Sequence, residues 1–263
     1  MAADTNRNAA SPVRLSDRLG AAAGMVTPGY RLCDVGCDHA HIPIALLGAG
    51  IIPGALGMDV IPGPLEKARE NLDLYGEDRV QLRMSDGLDA YRPGEADSLM
   101  ITGMGGRIIQ DILLREPDKT LDFQEMILQP QSDQWLVRKA LRRLGAGIDR
   151  EVLILEDGKY YPVIHAVIPR EGRSDKPVPR PVWGPEISPA AGLEAEDRFG
   201  PCLLAAKDPL LHRFLVWQRG IHERILSSID QSGDRERHAE RRIMIAEIKN
   251  LIDTALTIFD ERQ

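Results

Sequence analysis

The residues Asp34-Val-Gly-Cys-Asp-His-Ala-His-Ile-Pro43 close one apolar run, 30–35, and open another, 42–47. A short apolar run, a polar turn holding a glycine and a second apolar run predict a buried strand, a tight turn and a helix start. An acidic residue closing such a strand, followed by glycine, is how many α/β enzymes hold the nucleoside end of a cofactor. The spaced glycines of a dinucleotide-binding turn are absent, because Cys37, Asp38 and His39 follow Gly36. Their side chains would crowd a pyrophosphate, and Asp38 would add negative charge beside it. A cofactor without phosphate and with a positive centre suits the turn better, and S-adenosylmethionine has both properties.

The rest of the chain reads as alternating strands and helices. A first helix is expected over about 12–25, with Val13, Leu15, Leu19 and Ala22 or Ala23 on one stripe. Strands follow at 31–35, 54–59, 80–84, 98–102 and 125–129. The helices between them are expected at 42–49, 65–75, 107–114 and 133–144. Residues 150–156 and 160–168 predict an antiparallel pair turning at Asp157-Gly158. Such alternation means a doubly wound parallel sheet, and the closing hairpin adds antiparallel strands. The fold class expected is therefore α/β, a Rossmann-like methyltransferase sheet that is mostly parallel with an antiparallel last strand. The catalytic domain is placed at 13–169. A linker rich in proline (Pro177, Pro179, Pro181, Pro185, Pro189) occupies 170–194, and a helical hairpin or coiled coil fills 195–263. Apolar residues from Leu211 to Ile229, and again from Ile243 to Phe259, recur at helical steps on either side of Ser232-Gly233-Asp234.

Composition narrows the function classes. With 43% hydrophobic and 28% charged residues, the chain resembles an ordinary globular protein, and no apolar run reaches the roughly 20 residues of a membrane span. Residues 1–10 lack the apolar stretch of a secretory signal and read as a polar tail. Cys33, Cys37 and Cys202 are too few for a disulfide framework and badly spaced for a metal site, so small buried residues in a reducing cytoplasm are expected, with no metal. The net charge of -7 argues against a general nucleic-acid binder. Locally, however, Arg138, Lys139, Arg142 and Arg143 fall at helical spacing and predict a basic face. The plainer alternative for them is a solvated helix surface.

The polar residues with chemistry to offer all fall at strand ends, where open α/β sheets bind ligands. Asp34 and Gly36 end strand one. Asp59 ends strand two, about where a carboxylate accepts both hydroxyls of a ribose. Asp86 follows strand three and offers an acceptor to the exocyclic amine of adenine, with the Gly87 backbone beside it. Gly103-Met-Gly-Gly106 follows strand four and lets flat molecules approach the backbone. Gly103, Met104 and Gly105 are assigned to the cofactor, Gly106 and Arg107 to the substrate. Each has a structural alternative: Asp59 as a cap on its own turn, Asp86-Gly87 and Gly105-Gly106 as bare turns, His41 as a packed helix-start residue.

The stretches 34–43, Ile101-Thr-Gly-Met-Gly-Gly-Arg107 and Leu128-Gln-Pro-Gln131 resemble the bacterial tRNA (adenine-22-N1)-methyltransferase family. So do Leu15-Ser-Asp-Arg-Leu19 and Phe199-Gly-Pro-Cys-Leu-Leu204, and the likeness runs from about Arg14 through the second long helix. The resemblance implies a class I S-adenosylmethionine-dependent enzyme with a C-terminal coiled-coil domain, acting on tRNA at N1 of adenine 22. Where family members often carry serine, tyrosine and glutamate, this chain has Cys37, His41 and Asp59.

Adenine N1 has an in-plane lone pair and is unprotonated at neutral pH, so positioning rather than a strong base is expected to dominate catalysis. Asp38 is assigned to the charge that develops on the methylated purine, and His39 and His41 to orienting the base. The helical hairpin and the Arg138–Arg143 face are expected to hold tRNA phosphates. The oligomeric state is open, with a monomer as the expectation. Two other classes compete: a methyltransferase of a small molecule, and a non-catalytic RNA-binding protein of the same fold.

Overall fold

The structure, a computed structural model, describes residues 13–170, 179–231 and 238–260. The expected tail at 1–10, Pro177 and the Ser232-Gly233-Asp234 turn lie outside them. The chain forms α1 (Asp17–Ala23), β1 (Leu32–Val35), α2 (His41–Gly48), β2 (Ala55–Asp59), α3 (Pro62–Tyr75), β3 (Val80–Met84) and β4 (Ser98–Met104). It continues through α4 (Gly106–Arg115), α5 (Pro117–Thr120), β5 (Glu125–Pro130), α6 (Gln134–Arg143), β6 (Gly147–Glu156) and β7 (Lys159–Val167). Four helices close it: α7 (Pro189–Phe199), α8 (Pro201–Ala205), α9 (Pro209–Gln231) and α10 (Ala239–Leu256).

The strands form one seven-stranded sheet in the order β3-β2-β1-β4-β5-β7-β6. All neighbours are parallel except β7, which runs antiparallel to both β5 and β6. The doubly wound sheet with an antiparallel strand near its end is the arrangement read from the sequence. Central β1 and β5 are buried at every position, as strands covered on both faces must be. One face packs Ile109, Leu113, Val137 and Leu141 from α4 and α6 over the sheet. The other face carries Ala22, Ile42, Leu46, Ala68 and Leu72 from α1, α2 and α3. The order reverses between β1 and β4, so the crevice for a ligand opens at the carboxyl ends of those two strands.

Several boundaries move for local reasons. The first helix is shorter than its apolar stripe, 17–23 rather than 12–25; Val13 and Leu15 still pack on the core beneath it without being helical. Strand β4 runs two residues further, through Gly103 and Met104, because β5 continues to pair with it across an irregularity at Thr102/Met104. The proline-rich stretch is partly helical: Ser188 caps α7, accepting a hydrogen bond from the Ala191 amide, and Pro189 opens it, as proline can at a first turn. Residues 189–194 therefore belong to a helix, and α7 and α8 join α9 and α10 in a separate apolar cluster around Leu203, Leu211, Leu215 and Ile252.

That cluster is tied to the sheet by charge. Arg138 on α6 is buried and donates through Nε to Glu151 of β6 at 2.8 Å. Its Nη1 reaches the carbonyls of Asp197 and Arg198 at the end of α7, at 2.9 and 3.2 Å. Glu151 in turn accepts from the Cys202 amide at the start of α8. Removing Arg138 leaves a carboxylate buried without its counter-charge, a cost of about 3–5 kcal/mol for such pairs. Arg138→Ala is expected to lower the unfolding free energy by that amount, and the exposed Arg143→Ala by less than about 0.5 kcal/mol. Urea unfolding of both variants checks the contrast.

Candidate active site

The turn after β1 is shaped by two amides. Gly36 and Cys37 both donate to the Met58 carbonyl at the end of β2, at 2.8 and 3.1 Å. Gly36 has φ +73°, and a Cβ there would lie 2.2 Å from the Met104 methyl, so a side chain is excluded by conformation and by space. Asp38 and Ala40 also adopt left-handed backbone, at φ 49° and 57°. Strain of this kind, packed into five residues, shapes the turn that carries Asp38 and His39 beyond the carboxyl end of β1. The Cys37 side chain points inward against Gly57, and all three cysteines are buried and free.

A cleft opens above this turn, bounded by Asp34, Asp38, His39, His41 and Gly103, with Arg18 of α1 on the facing wall. Asp34 is buried at 2% exposure, and its Oδ1 has no hydrogen-bond partner. Burial, and then the nearby Asp59 and Asp38 carboxylates, push its pKa up to about 7. An orphaned carboxylate oxygen beside two more acids makes a site that favours a cation.

The histidines form one unit. His39 Nε2 lies 3.3 Å from Asp38 Oδ1, and the His39 and His41 rings meet edge to face at 5.4 Å. Burial, with His39 beside it, lowers the His41 pKa and keeps that ring neutral at pH 7. Asn71 of α3, absent from the sequence-derived candidates, anchors the pair: its Nδ2 donates to the His39 carbonyl at 2.9 Å and sits 3.4 Å from His41 Nε2. Arg18 and Gln129 were missed as well. Gln129, fully buried, accepts from the Gly103 amide and from Arg18 Nη1, while Arg18 Nε pairs with Glu156 at 3.0 Å. Arg18 and Gln129 belong to the Leu15–Leu19 and Leu128–Gln131 stretches; spacing alone gave neither a role.

The other candidates divide. Asp59 uses Oδ1 to accept from the Ile61 amide, the capping alternative, and its second oxygen has no partner among the described residues. Asp86 is ion-paired with Arg115 at 2.9 Å. Gly87, at φ +57°, packs on Ile112. Gly103, at φ +79°, presents bare backbone to the cleft. Gly105 caps α4, and Gly106 is a packing residue: a Cβ on it would meet the Asp133 carbonyl oxygen at 2.3 Å. The close approach of the β5–α6 loop therefore explains that glycine without a substrate. Arg107 is exposed, with no ion pair among the described residues.

The expected basic face is dismantled. Arg138 is buried in its ion pair with Glu151, and Arg142 makes a two-pronged pair with Asp197 at 2.5 and 2.7 Å, so neither is free for phosphate. Lys139 lies over the Trp135 ring at 4.8 Å, and Arg143 is exposed. A cavity of about 370 Å³ beside Arg138 and Arg142 is lined by these paired guanidiniums and by Arg180, which is bonded to Glu196. It lies at the start of β6, away from the carboxyl ends of β1 and β4, and its charged lining residues are all ion-paired.

Residues 15–164 match the family described as Methyltransferase domain, and the chain belongs to it. Over 247 residues, 92% of this chain and 98% of the relative, it is 28% identical to the tRNA (adenine(22)-N(1))-methyltransferase of Bacillus subtilis. The crystal structure of the B. subtilis m1A22 tRNA methyltransferase superposes with a TM-score of 0.78 at 27% identity, covering 93% of this chain and 99% of that one. A candidate tRNA (m1A22) methyltransferase of Streptococcus pneumoniae, solved with S-adenosyl-L-methionine, has a TM-score of 0.74 at 27% identity over 92% and 100% of the two chains. The resemblance read from the motifs thus extends over nearly the whole chain.

Asp34 also sets a pH dependence. Its folded pKa lies above the ordinary carboxylate value, so the folded state binds more protons than the unfolded one between about pH 4 and 7. This contribution to stability falls as pH rises through that window and stays low above it. Asp34→Asn, which cannot ionise, is expected to gain on the wild type by a few kcal/mol between pH 5 and pH 8, on the order of the shift's free-energy equivalent. Thermal unfolding of both proteins at the two pH values reads the difference.

Proposed function

We propose that this chain transfers the methyl group of S-adenosylmethionine to N1 of an adenine in tRNA, at position 22 as in the relatives it resembles. The observation that carries the reading is the cleft at the β1 and β4 ends, where the unpartnered, buried Asp34 oxygen faces a site rich in acids. A sulfonium and an ammonium on one cofactor answer that charge, and binding them relieves the cost of ionising Asp34. The bare Gly103 backbone and the free Asp59 oxygen suit an adenosine moiety. Asp86, held by Arg115, keeps one carboxylate oxygen for the adenine amine.

The bound cofactor supplies an electrophilic methyl group on a positively charged sulfur. The protein's part is to place adenine N1 in line with it and to accept the charge that results. His41 is neutral and its Nε2 faces the Asn71 amide, so its ring serves to orient the base rather than to bind as a cation. Asp38, exposed at the rim and held by the turn, sits where a carboxylate can stabilise the methylated purine or take a proton from its exocyclic amine. Arg107, Lys139 and Arg143 remain as phosphate contacts; Arg138 and Arg142 do not.

The catalytic domain covers 13–169 and the tRNA-holding helical part 195–263, with α7 already begun inside the connection at 170–194. A monomer acting in the cytoplasm fits this reading. Among the described residues no helix is long and apolar enough to cross a membrane.

Incubation with labelled S-adenosylmethionine and unmodified bacterial tRNA, followed by nucleoside analysis, tests the function. The expected product is 1-methyladenosine at nucleotide 22; cofactor binding with no labelled tRNA would discard the substrate. Asp38→Ala is expected to lower kcat by about 10²-fold or more, the range of a positioned acid–base group, with little change in cofactor Kd. Equal losses in both would remove Asp38 from the chemistry.

A further inference from the structure

An aromatic cluster stands on the catalytic end of the sheet, outside the cofactor cleft. Strand β6 runs parallel to β5, so the turn joining it to β7 emerges on the side of the strand ends that carry the cleft. Tyr160, just past that turn, packs on Phe214 of α9 at 4.9 Å and lies nearly parallel to Trp217 at 6.1 Å. Trp217 is 49% exposed and Val216 beside it 43%, an unusual surface for large apolar side chains.

The cluster lies on the same side of the sheet as the candidate active site, and its slot shares no residue with the cleft. Tyr160 and Phe214 share a slot with Gln134, the first residue of α6, and with Arg198 of α7. Gln134 follows Asp133, whose carbonyl abuts Gly106.

Cations without a partner among the described residues stand around the cluster, with the exposed Asp157 in the hairpin turn beside them. Arg198 is half-buried, and its guanidinium has no hydrogen bond or ion pair among the described residues; burial lowers its pKa, against the opposing charges of Asp133 and Glu194. Arg213, one helical turn before Trp217, is exposed and has no ion pair among the described residues, and the same holds for Lys159 beside Tyr160 and for Arg224, which lies over Gly220 two turns on. In a chain of net charge -7, several other basic groups on the sheet domain are committed to carboxylates, among them Arg18, Arg83, Arg138 and Arg142. Trp217 is the exposed ring, with Tyr160 and Phe214 half-buried behind it, and an accessible aromatic surface flanked by free cations is a means by which proteins hold unpaired nucleotides.

We propose that Tyr160, Phe214 and Trp217 form a stacking platform for an unpaired nucleotide of the tRNA substrate close to the one methylated, with Arg198 and Arg213 supplying the cations for its phosphate. This rests on the tRNA reading above and specifies where the substrate is gripped. A second copy of the chain is a poorer occupant, because a two-fold contact through this face would bring Arg213, Arg224 and Lys159 against their own copies.

The test uses the full-length enzyme with Trp217→Ala, Trp217→Phe and Arg213→Gln, measuring tRNA Kd, tRNA KM, S-adenosylmethionine Kd and sedimentation. Trp217→Ala should weaken tRNA binding and raise its KM by roughly 5- to 100-fold, the worth of one stacked base. Trp217→Phe should retain most of the affinity, and cofactor Kd should not move. Arg213→Gln should weaken tRNA binding and reduce the salt dependence by about one phosphate contact. It also keeps the proposal testable if Trp217→Ala does not fold. Wild-type tRNA binding in the Trp217 and Arg213 variants overturns the platform while the tRNA function stands. A wild-type dimer that Trp217→Ala splits overturns it in favour of self-association. A wild-type enzyme that neither binds nor methylates tRNA removes the function, and the platform with it.

Discussion

The Arg138–Glu151 pair stands where four elements meet, and the arrangement of the C-terminal helices depends on it. Arg138 reaches across from α6 to β6 and on to the carbonyls that α7 leaves open at its end, while Glu151 accepts from the Cys202 amide at the start of α8. Helix ends carry unsatisfied groups, and burying two of them at one junction is costly unless charged partners are present. Gly200 completes the junction: at φ +102° its missing side chain leaves room for the Glu151 carboxylate, which a Cβ would approach to 2.6 Å. The Phe199–Leu204 stretch, glycine and proline included, is therefore the shape of a joint.

At the opposite pole of the design is charge left uncompensated. Asp34 and Asp38 line the cleft with the Asp59 charge close by, and among the described residues Asp34 has neither a hydrogen bond on Oδ1 nor a cation paired with it. Elsewhere in the sheet domain, buried acids are carefully matched: Glu125 accepts from Thr27, Ser98 and His165, and its pKa stays low despite burial. The same chain thus treats two buried carboxylates in opposite ways. The unmatched one lies where a cationic ligand is needed, and the matched one lies at the far end of the strands.

The strands and helices were legible because their signals are local: alternating apolar runs, glycine stops, and the Asp157-Gly158 turn. The position of the cleft was legible for the same reason, since strand ends of an α/β sheet fall at predictable places and Asp34, Gly36 and Gly103 line it. What sequence periodicity could not show is which partner a side chain meets across the fold. Arg138 and Arg142 look like a basic surface on a helical wheel, yet acids 13 and 55 residues away claim them. Asn71, Arg18 and Gln129 were missed for the converse reason, each acting on a site residue of another element. Gly106 looked like an opening for a ligand and is an opening for the backbone of the next loop.

The β6–β7 hairpin connects the two halves of the proposed reaction. Successive side chains on a strand face opposite sides, so Tyr160 and Tyr161 point apart. Tyr161 lies under the Arg18 guanidinium at 5.8 Å, and Arg18 with Gln129 supports the Gly103 backbone on the cofactor side. Tyr160 joins Phe214 and Trp217 on the other side. One short hairpin therefore braces the wall of the cofactor cleft with one face and the stacking platform with the other.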